Sequence, residues 1–172
     1  EMGISNTSSA ALLLSSLTGR PIEDCVGAGA GADKAQLAQK KATLRAVIAL
    51  HGATTDPVAA LSRFGGFEIA MMAGAMLEAA RQELCLVVDG FIVTAALLCA
   101  SRLDAAVTDW CIFAHASAEP GHQFMLQSLE ATPLLDLGMR LGEGTGAALA
   151  IPLLRSASAF MQQMANLEDL MS

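Results

Sequence analysis

One apolar run constrains the fold most. Residues 84–100 read LCLVVDGFIVTAALLCA, broken near the middle by Asp89 and Gly90. As a membrane span this run would place Asp89 near the bilayer centre, at a cost of roughly 2.5–3.5 kcal/mol, and no basic flank sets an orientation. In a globular fold it divides into an apolar strand over 84–88, a turn at Asp89-Gly90, and a buried helix over 91–102. A second run, WCIFA over 110–114, has the same strand character and ends in His115-Ala116-Ser117. Uniformly apolar strands are those of a parallel sheet covered on both faces.

The remaining chain supplies the helices. A helix begins at Thr7 with Asn6 or Thr7 as its cap, and Gly19 lies just past its end. A turn over 21–24 leads to a short strand candidate and a glycine loop over 25–31. Asp33 caps a helix over 34–51, which Gly52 ends. Asp56-Pro57 opens a short helix stopped by Gly65-Gly66, and a third runs over 67–82. Pro120-Gly121 opens a helix to about residue 129. Residues 134–141 are extended or mixed. Gly144-Thr145-Gly146 leads into a long helix over 147–164, in which Pro152 is expected to introduce a kink. The expected architecture is therefore α/β: a mainly parallel, doubly wound (Rossmann-like) sheet with helices on both faces. Ligands in such sheets sit at the carboxyl ends of the strands. The loops over 27–33, 89–90 and 115–121 fall there, and that over 142–146 runs into a helix N-terminus, where anions are favoured.

Composition narrows the function classes. The 172 residues are the size of one domain, and 53% apolar against 16% charged residues excludes a disordered chain. The net charge of −7, with no basic stripe, argues against a nucleic-acid partner. Aromatic residues make up 4% with no Tyr, so base-stacking platforms are also unexpected. A mean hydropathy of +0.49 points to two buried faces and a large subunit interface. Cys25, Cys85, Cys99 and Cys111 form no CxxC pair. Cys85 and Cys99 read as small core hydrophobes, and reduced thiols in a cytoplasmic setting are expected. A chain that opens at Glu1 and runs directly into a turn reads as the interior of a longer polypeptide.

Four segments carry candidate chemistry. In LGEGTGA, residues 141–147, Glu143 sits between two glycines ahead of a helix. It is either a functional carboxylate beside a closely approached backbone or a capping acid in a flexible turn. In VGAGAGADK, residues 26–34, the backbone amides could hold a phosphate with a lysine as counter-charge, or the lysines could simply be solvated. No GK[ST] closes it, so it is not a Walker A loop. EMGISNT, residues 1–7, offers another carboxylate before a helix, and Asp89-Gly90 follows a buried strand. His115 and His122 flank Ser117 and Glu119, but with Cys111 their spacing is too loose to signal a metal. No G-x-S-x-G elbow supports a hydrolase. Met71, Met72 and Met76 read as core packing.

Taken in order, EMGISNT, VGAGAG with Lys40, GGFEIAMMAGAML, VVDGFIVTAA, HASAEPGH and RLGEGTGAALAIPLL resemble one family. It is the nicotinate-nucleotide–dimethylbenzimidazole phosphoribosyltransferases, which make the lower-ligand nucleotide of cobalamin. The resemblance covers nearly all of the chain and corresponds to the C-terminal part of the family's single domain, with its N-terminal part absent. It implies transfer of the phosphoribosyl group of nicotinate mononucleotide to 5,6-dimethylbenzimidazole, with Glu143 as general base and Glu1 as a second active-site glutamate. It implies that Gly3, Gly27, Gly29 and Lys40 hold the phosphate and ribose. Asp89, Gly90 and Ser117 would contact the nucleotide, and Met2 and Leu141 would line the aromatic base. It implies a homodimer and no metal or organic cofactor, because an activated leaving group needs none. The segment Ala32-Asp33-Lys34-Ala35, the adjacent Lys41, and Ile4-Ser5 depart from the family pattern. The alternative is a catalytically silent nucleotide-binding or oligomerisation fragment.

Overall fold

The computed structural model describes residues 4–29, 31–140 and 142–164. Its element order is α1 (Thr7–Thr18), α2 (Ile22–Cys25), α3 (Lys34–His51), α4 (Pro57–Phe64), α5 (Phe67–Arg81), β1 (Leu86–Val88), α6 (Phe91–Leu103), a 3-10 helix (Ala105–Trp110), β2 (Cys111–Phe113), α7 (Pro120–Ser128) and α8 (Thr145–Gln163). It is a mixed α/β structure, mostly helical, around a small parallel sheet.

The helix boundaries follow their local chemistry. Gly19 closes α1 at a φ of 71°, the left-handed region that suits glycine, and its N–H donates to the Ser15 carbonyl. Asp33 forms a reciprocal capping box with Gln36 at the start of α3. Asp56 accepts the Val58 N–H, and Pro57 occupies the first turn of α4, where its missing donor is not needed.

Helix α6 is apolar all round and correspondingly central: Ala95, Ala96, Leu97, Leu98, Cys99 and Ala100 are fully enclosed. It packs against α1, α4, α5, α7 and the 3-10 helix. Leu13 and Leu14 of α1, Ile69 of α5 and Met125 of α7 complete the core. β1 and β2 pair in parallel, with Leu86 opposite Cys111 and Val88 opposite Phe113. The chain between them supplies the helical crossover that parallel pairing requires.

Several expectations need correction. Residues 22–25 form the short helix α2 rather than a turn, because Pro21 sets an extended entry and Glu23 and Asp24 favour a helix N-terminus. The strand candidate over 25–31 does not form a ladder: Val26 is extended, but it pairs with no strand among the described residues. Cys85 is exposed, because β1 starts one residue later, whereas Cys99 is buried. Of the methionines on α5, Met76 is buried but Met71 is 75% exposed, facing away from the core. Among the described residues, no helix is long and apolar enough to cross a membrane.

Candidate active site

Because β1 and β2 are parallel, their carboxyl ends open on the same side. The pairing continues past β2. Ala114 N–H donates to the Val88 carbonyl (2.8 Å), and a parallel bridge joins His115 to Leu135. Ala116 then donates to Leu135 (2.8 Å) and Ala118 to Met139 (2.9 Å). Of the segment expected to be extended or mixed over 134–141, the described residues 134–140 are therefore threaded beside the loop over 115–118. It delivers Arg140 and the turn bearing Glu143 to the strand ends.

That turn is strained. Glu143 has a φ of 68° and Gly144 a φ of 77°. Two successive positive φ values are the pattern of a type I′ turn, which glycine adopts freely and glutamate does not. The Thr145 hydroxyl closes the turn by donating to the Gly142 carbonyl (2.9 Å). A non-glycine residue held in the left-handed region costs of order 1–3 kcal/mol and persists where the surroundings over-determine it. Here the surroundings hold the start of α8: Asp89 Oδ1 accepts the Ala147 N–H at 2.8 Å. Gly146 sits so close to the sheet that a Cβ there would collide with His115 and Asp89. His115 is 1% exposed, its Nε2 lies 3.7 Å from Asp89 Oδ1, and neither ring nitrogen has a hydrogen-bond partner among the described residues.

The opposite wall comes from the glycine segment. Lys40, on α3, donates from Nζ to Thr7 Oγ1 (3.0 Å) and to the Gly27 carbonyl (3.3 Å). Burial pulls its ammonium below the ordinary lysine value, and the nearby Glu119 charge acts in the opposite direction. Glu119 is buried against Gly27, where a Cβ would displace it.

Together these elements enclose a cleft of about 820 Å³. Of the residues given a catalytic or substrate-binding role in the sequence, Gly29, Asp89, Gly90, Ser117 and Glu143 line it. Gly27 lines an adjoining cleft that shares Glu119 and Arg140 with the first. Lys40 reaches the site from behind, through Thr7 and Gly27. Glu1, Met2, Gly3 and Leu141 lie outside the described residues. Sequence reasoning missed Thr7, Arg140 and Glu119 as wall residues; the signal available for Glu119 was its place in HASAEPGH. It read Asp89 as a turn residue and a ligand contact, and gave no sign that one of its oxygens is committed to α8. Among the described residues, no group of three or more His, Cys, Asp or Glu could hold a metal ion.

A family model described as phosphoribosyltransferase matches residues 1–170. The chain belongs to that phosphoribosyltransferase family. It is 56% identical over 166 residues to the nicotinate-nucleotide–dimethylbenzimidazole phosphoribosyltransferase of Cupriavidus necator, covering 96% of this chain and 48% of the relative. The protein of the same name from Dechloromonas aromatica is 54% identical over 172 residues, covering 98% and 49%. Among solved structures, CobT from Thermus thermophilus superposes with a TM-score of 0.87 at 40% identity, over 92% of this chain and 48% of that one. The chain thus spans about half the length of the curated relatives it matches. In this phosphoribosyltransferase segment, the cleft at the strand ends is the candidate active site.

Proposed function

We propose that these residues carry the base and the phosphate cradle of a nicotinate-nucleotide–dimethylbenzimidazole phosphoribosyltransferase. Residues 1–172 then form the C-terminal part of one domain, and β1 and β2 belong to a larger, doubly wound parallel sheet. The observation that carries the reading is the left-handed turn that presents Glu143 to the cleft lined by Gly29, Asp89, Gly90 and Ser117.

The chemistry needs what the cleft offers. In nicotinate mononucleotide the pyridinium nitrogen is bonded to C1 of the ribose. One benzimidazole nitrogen attacks that carbon with its lone pair. The C1–nitrogen bond breaks, and its electron pair returns to the pyridine ring, releasing nicotinate. The second benzimidazole nitrogen gives up its proton to the Glu143 carboxylate, a general-base role that typically contributes about 10²–10⁴-fold in rate. The product is α-ribazole 5'-phosphate, with the anomeric configuration inverted. Lys40, with Gly27 and Gly29, takes the phosphate side, and Asp89, Gly90 and Ser117 the nucleotide. Glu1 assists Glu143, Gly3 joins the phosphate side, and Met2 and Leu141 line the base.

Helix α8 exposes Leu149, Leu153 and Phe160 along one face, which supports packing against further polypeptide; the complete enzyme would be a cytoplasmic homodimer. The test is to incubate the complete protein with nicotinate mononucleotide and 5,6-dimethylbenzimidazole and to assay by chromatography. Equimolar nicotinate and α-ribazole 5'-phosphate are expected. Nucleotide binding without either product would favour a catalytically silent nucleotide-binding role.

A further inference from the structure

His122 has no part in the proposed chemistry, yet it is 1% exposed and both its ring nitrogens are bonded. Nδ1 accepts the backbone N–H of Ser117 at 2.9 Å. An acceptor nitrogen carries no proton, so the proton of the neutral ring is on Nε2. Nε2 therefore donates to Thr94 Oγ1 at 2.9 Å. The Thr94 hydroxyl, one turn into α6, donates in turn to the Gly90 carbonyl at 2.8 Å. The donors run in one direction, from the Ser117 amide through imidazole and hydroxyl to the Gly90 carbonyl.

The two ends of this chain are the two cleft loops. Gly90 follows β1, Ser117 follows β2, and both line the cleft. Thr94 is fully buried, so its hydroxyl has no access to solvent. Leaving one member of a buried chain unpaired costs its full desolvation, which makes the distance between the loops stiff. Ser117 Oγ in addition accepts the Glu119 N–H (3.3 Å), so the set position of Ser117 passes on to the N-cap of α7.

We propose that His122 and Thr94 are positioning residues that fix the separation of the Gly90 and Ser117 loops, and through it the affinity for the nucleotide substrate. This rests on the proposed function, in which those loops contact nicotinate mononucleotide. Neither Thr94 nor His122 lines the cleft, so neither is assigned the proton of the benzimidazole. Burial, with the neighbouring His115 adding a smaller effect, keeps the ring neutral by pushing His122 down to about 4. The titratable neighbours shown are His115, on the loop after β2, whose ring centroid lies 6.2 Å away and which itself faces Asp89 after β1, and Glu119 at the start of α7, whose carbonyl accepts the His122 backbone N–H.

The experiment compares Thr94→Val, which removes the hydroxyl at nearly constant shape, with Thr94→Ser, which keeps it. Steady-state kinetics of the complete protein would be measured for both substrates. Thr94→Val should raise KM for nicotinate mononucleotide about tenfold, the scale of one lost net hydrogen bond. Its kcat and its KM for the benzimidazole should stay within about twofold, and Thr94→Ser should restore the nucleotide KM. Unchanged kinetics in Thr94→Val, or a fall in kcat that Thr94→Ser shares, would overturn the assignment. Independently of any activity, nitrogen-15 NMR of the wild-type histidines should show His122 as the neutral Nε2-protonated tautomer from pH 8 to pH 6. A proton on Nδ1 would overturn the relay. A wild-type protein that turned over neither substrate while showing that tautomer would instead remove the functional reading on which the kinetic expectation rests, and with it the role in nucleotide affinity.

Discussion

Asp89 and Ala147 are separated by 58 positions in sequence, yet the carboxylate of one accepts the backbone N–H of the other at 2.8 Å. A side chain at the end of β1 thereby caps α8, whose own N-cap residue, Gly144, has no side chain to do so. The cap sits next to the Glu143 turn and holds the start of α8 to the sheet.

Asp89→Ala should therefore cost about 1–2 kcal/mol of stability, the range for a lost helix cap. Asp89→Asn keeps a carbonyl acceptor and loses only the charge–dipole part, about 0.3–1 kcal/mol. Urea denaturation of the two variants checks the order. Equal losses would mean that the Ala147 bond contributes nothing.

The strain at Glu143 predicts an unusual ranking of small substitutions. Glycine tolerates a φ of 68° and alanine does not. Glu143→Gly should be about 1 kcal/mol more stable than Glu143→Ala, the reverse of their order in an ordinary helix. Thermal unfolding of both variants measures it, and alanine proving the more stable would remove the claim of strain.

How much of this was legible in the sequence depended on range. The Asp33 cap, the Gly19 and Gly52 stops and the Asp56-Pro57 start involve residues within a few positions of one another, and all were readable. So was the alternation of apolar run, turn and buried helix around Asp89. The bond from Asp89 to Ala147 and the link from Thr94 to His122 join distant segments, and no local pattern encodes them. Cys85 was misread because membership of an apolar run does not say which face of the strand end is covered. The short strand candidate ahead of the glycine loop failed: Val26 is extended, but extension alone does not give a ladder partner.

Lys40 is the predicted phosphate counter-charge. Lys40→Ala should weaken nicotinate mononucleotide binding about 10–150-fold, equivalent to roughly 1.5–3 kcal/mol for a hydrogen bond to a charged group. Single-turnover chemistry of the bound nucleotide should change little. Calorimetric titration settles the first part, and an unchanged affinity would move the role to Lys41 or Lys34.

Acid should destabilise the fold through His122. Its folded value is about 4, pushed down by burial, whereas an unfolded histidine titrates near 6.5. Between those values the unfolded chain binds more protons, so the stability is fully present above about pH 6.5 and is lost as the pH falls toward 4. The gap corresponds to about 3 kcal/mol at the limit. His122→Asn retains an acceptor for the Ser117 N–H but cannot titrate. Its stability deficit relative to wild type should shrink by about 2 kcal/mol between pH 7 and pH 4.5. Parallel urea titration curves at the two pH values would contradict this.

The most direct measurement concerns Glu143 itself. Glu143→Gln preserves the turn and the size of the side chain but cannot accept a proton. The complete protein carrying this change should bind nicotinate mononucleotide and 5,6-dimethylbenzimidazole as wild type does, while kcat falls by about 10²–10⁴-fold. A kcat close to that of wild type, with both substrates bound normally, would contradict the assignment of Glu143 as the base.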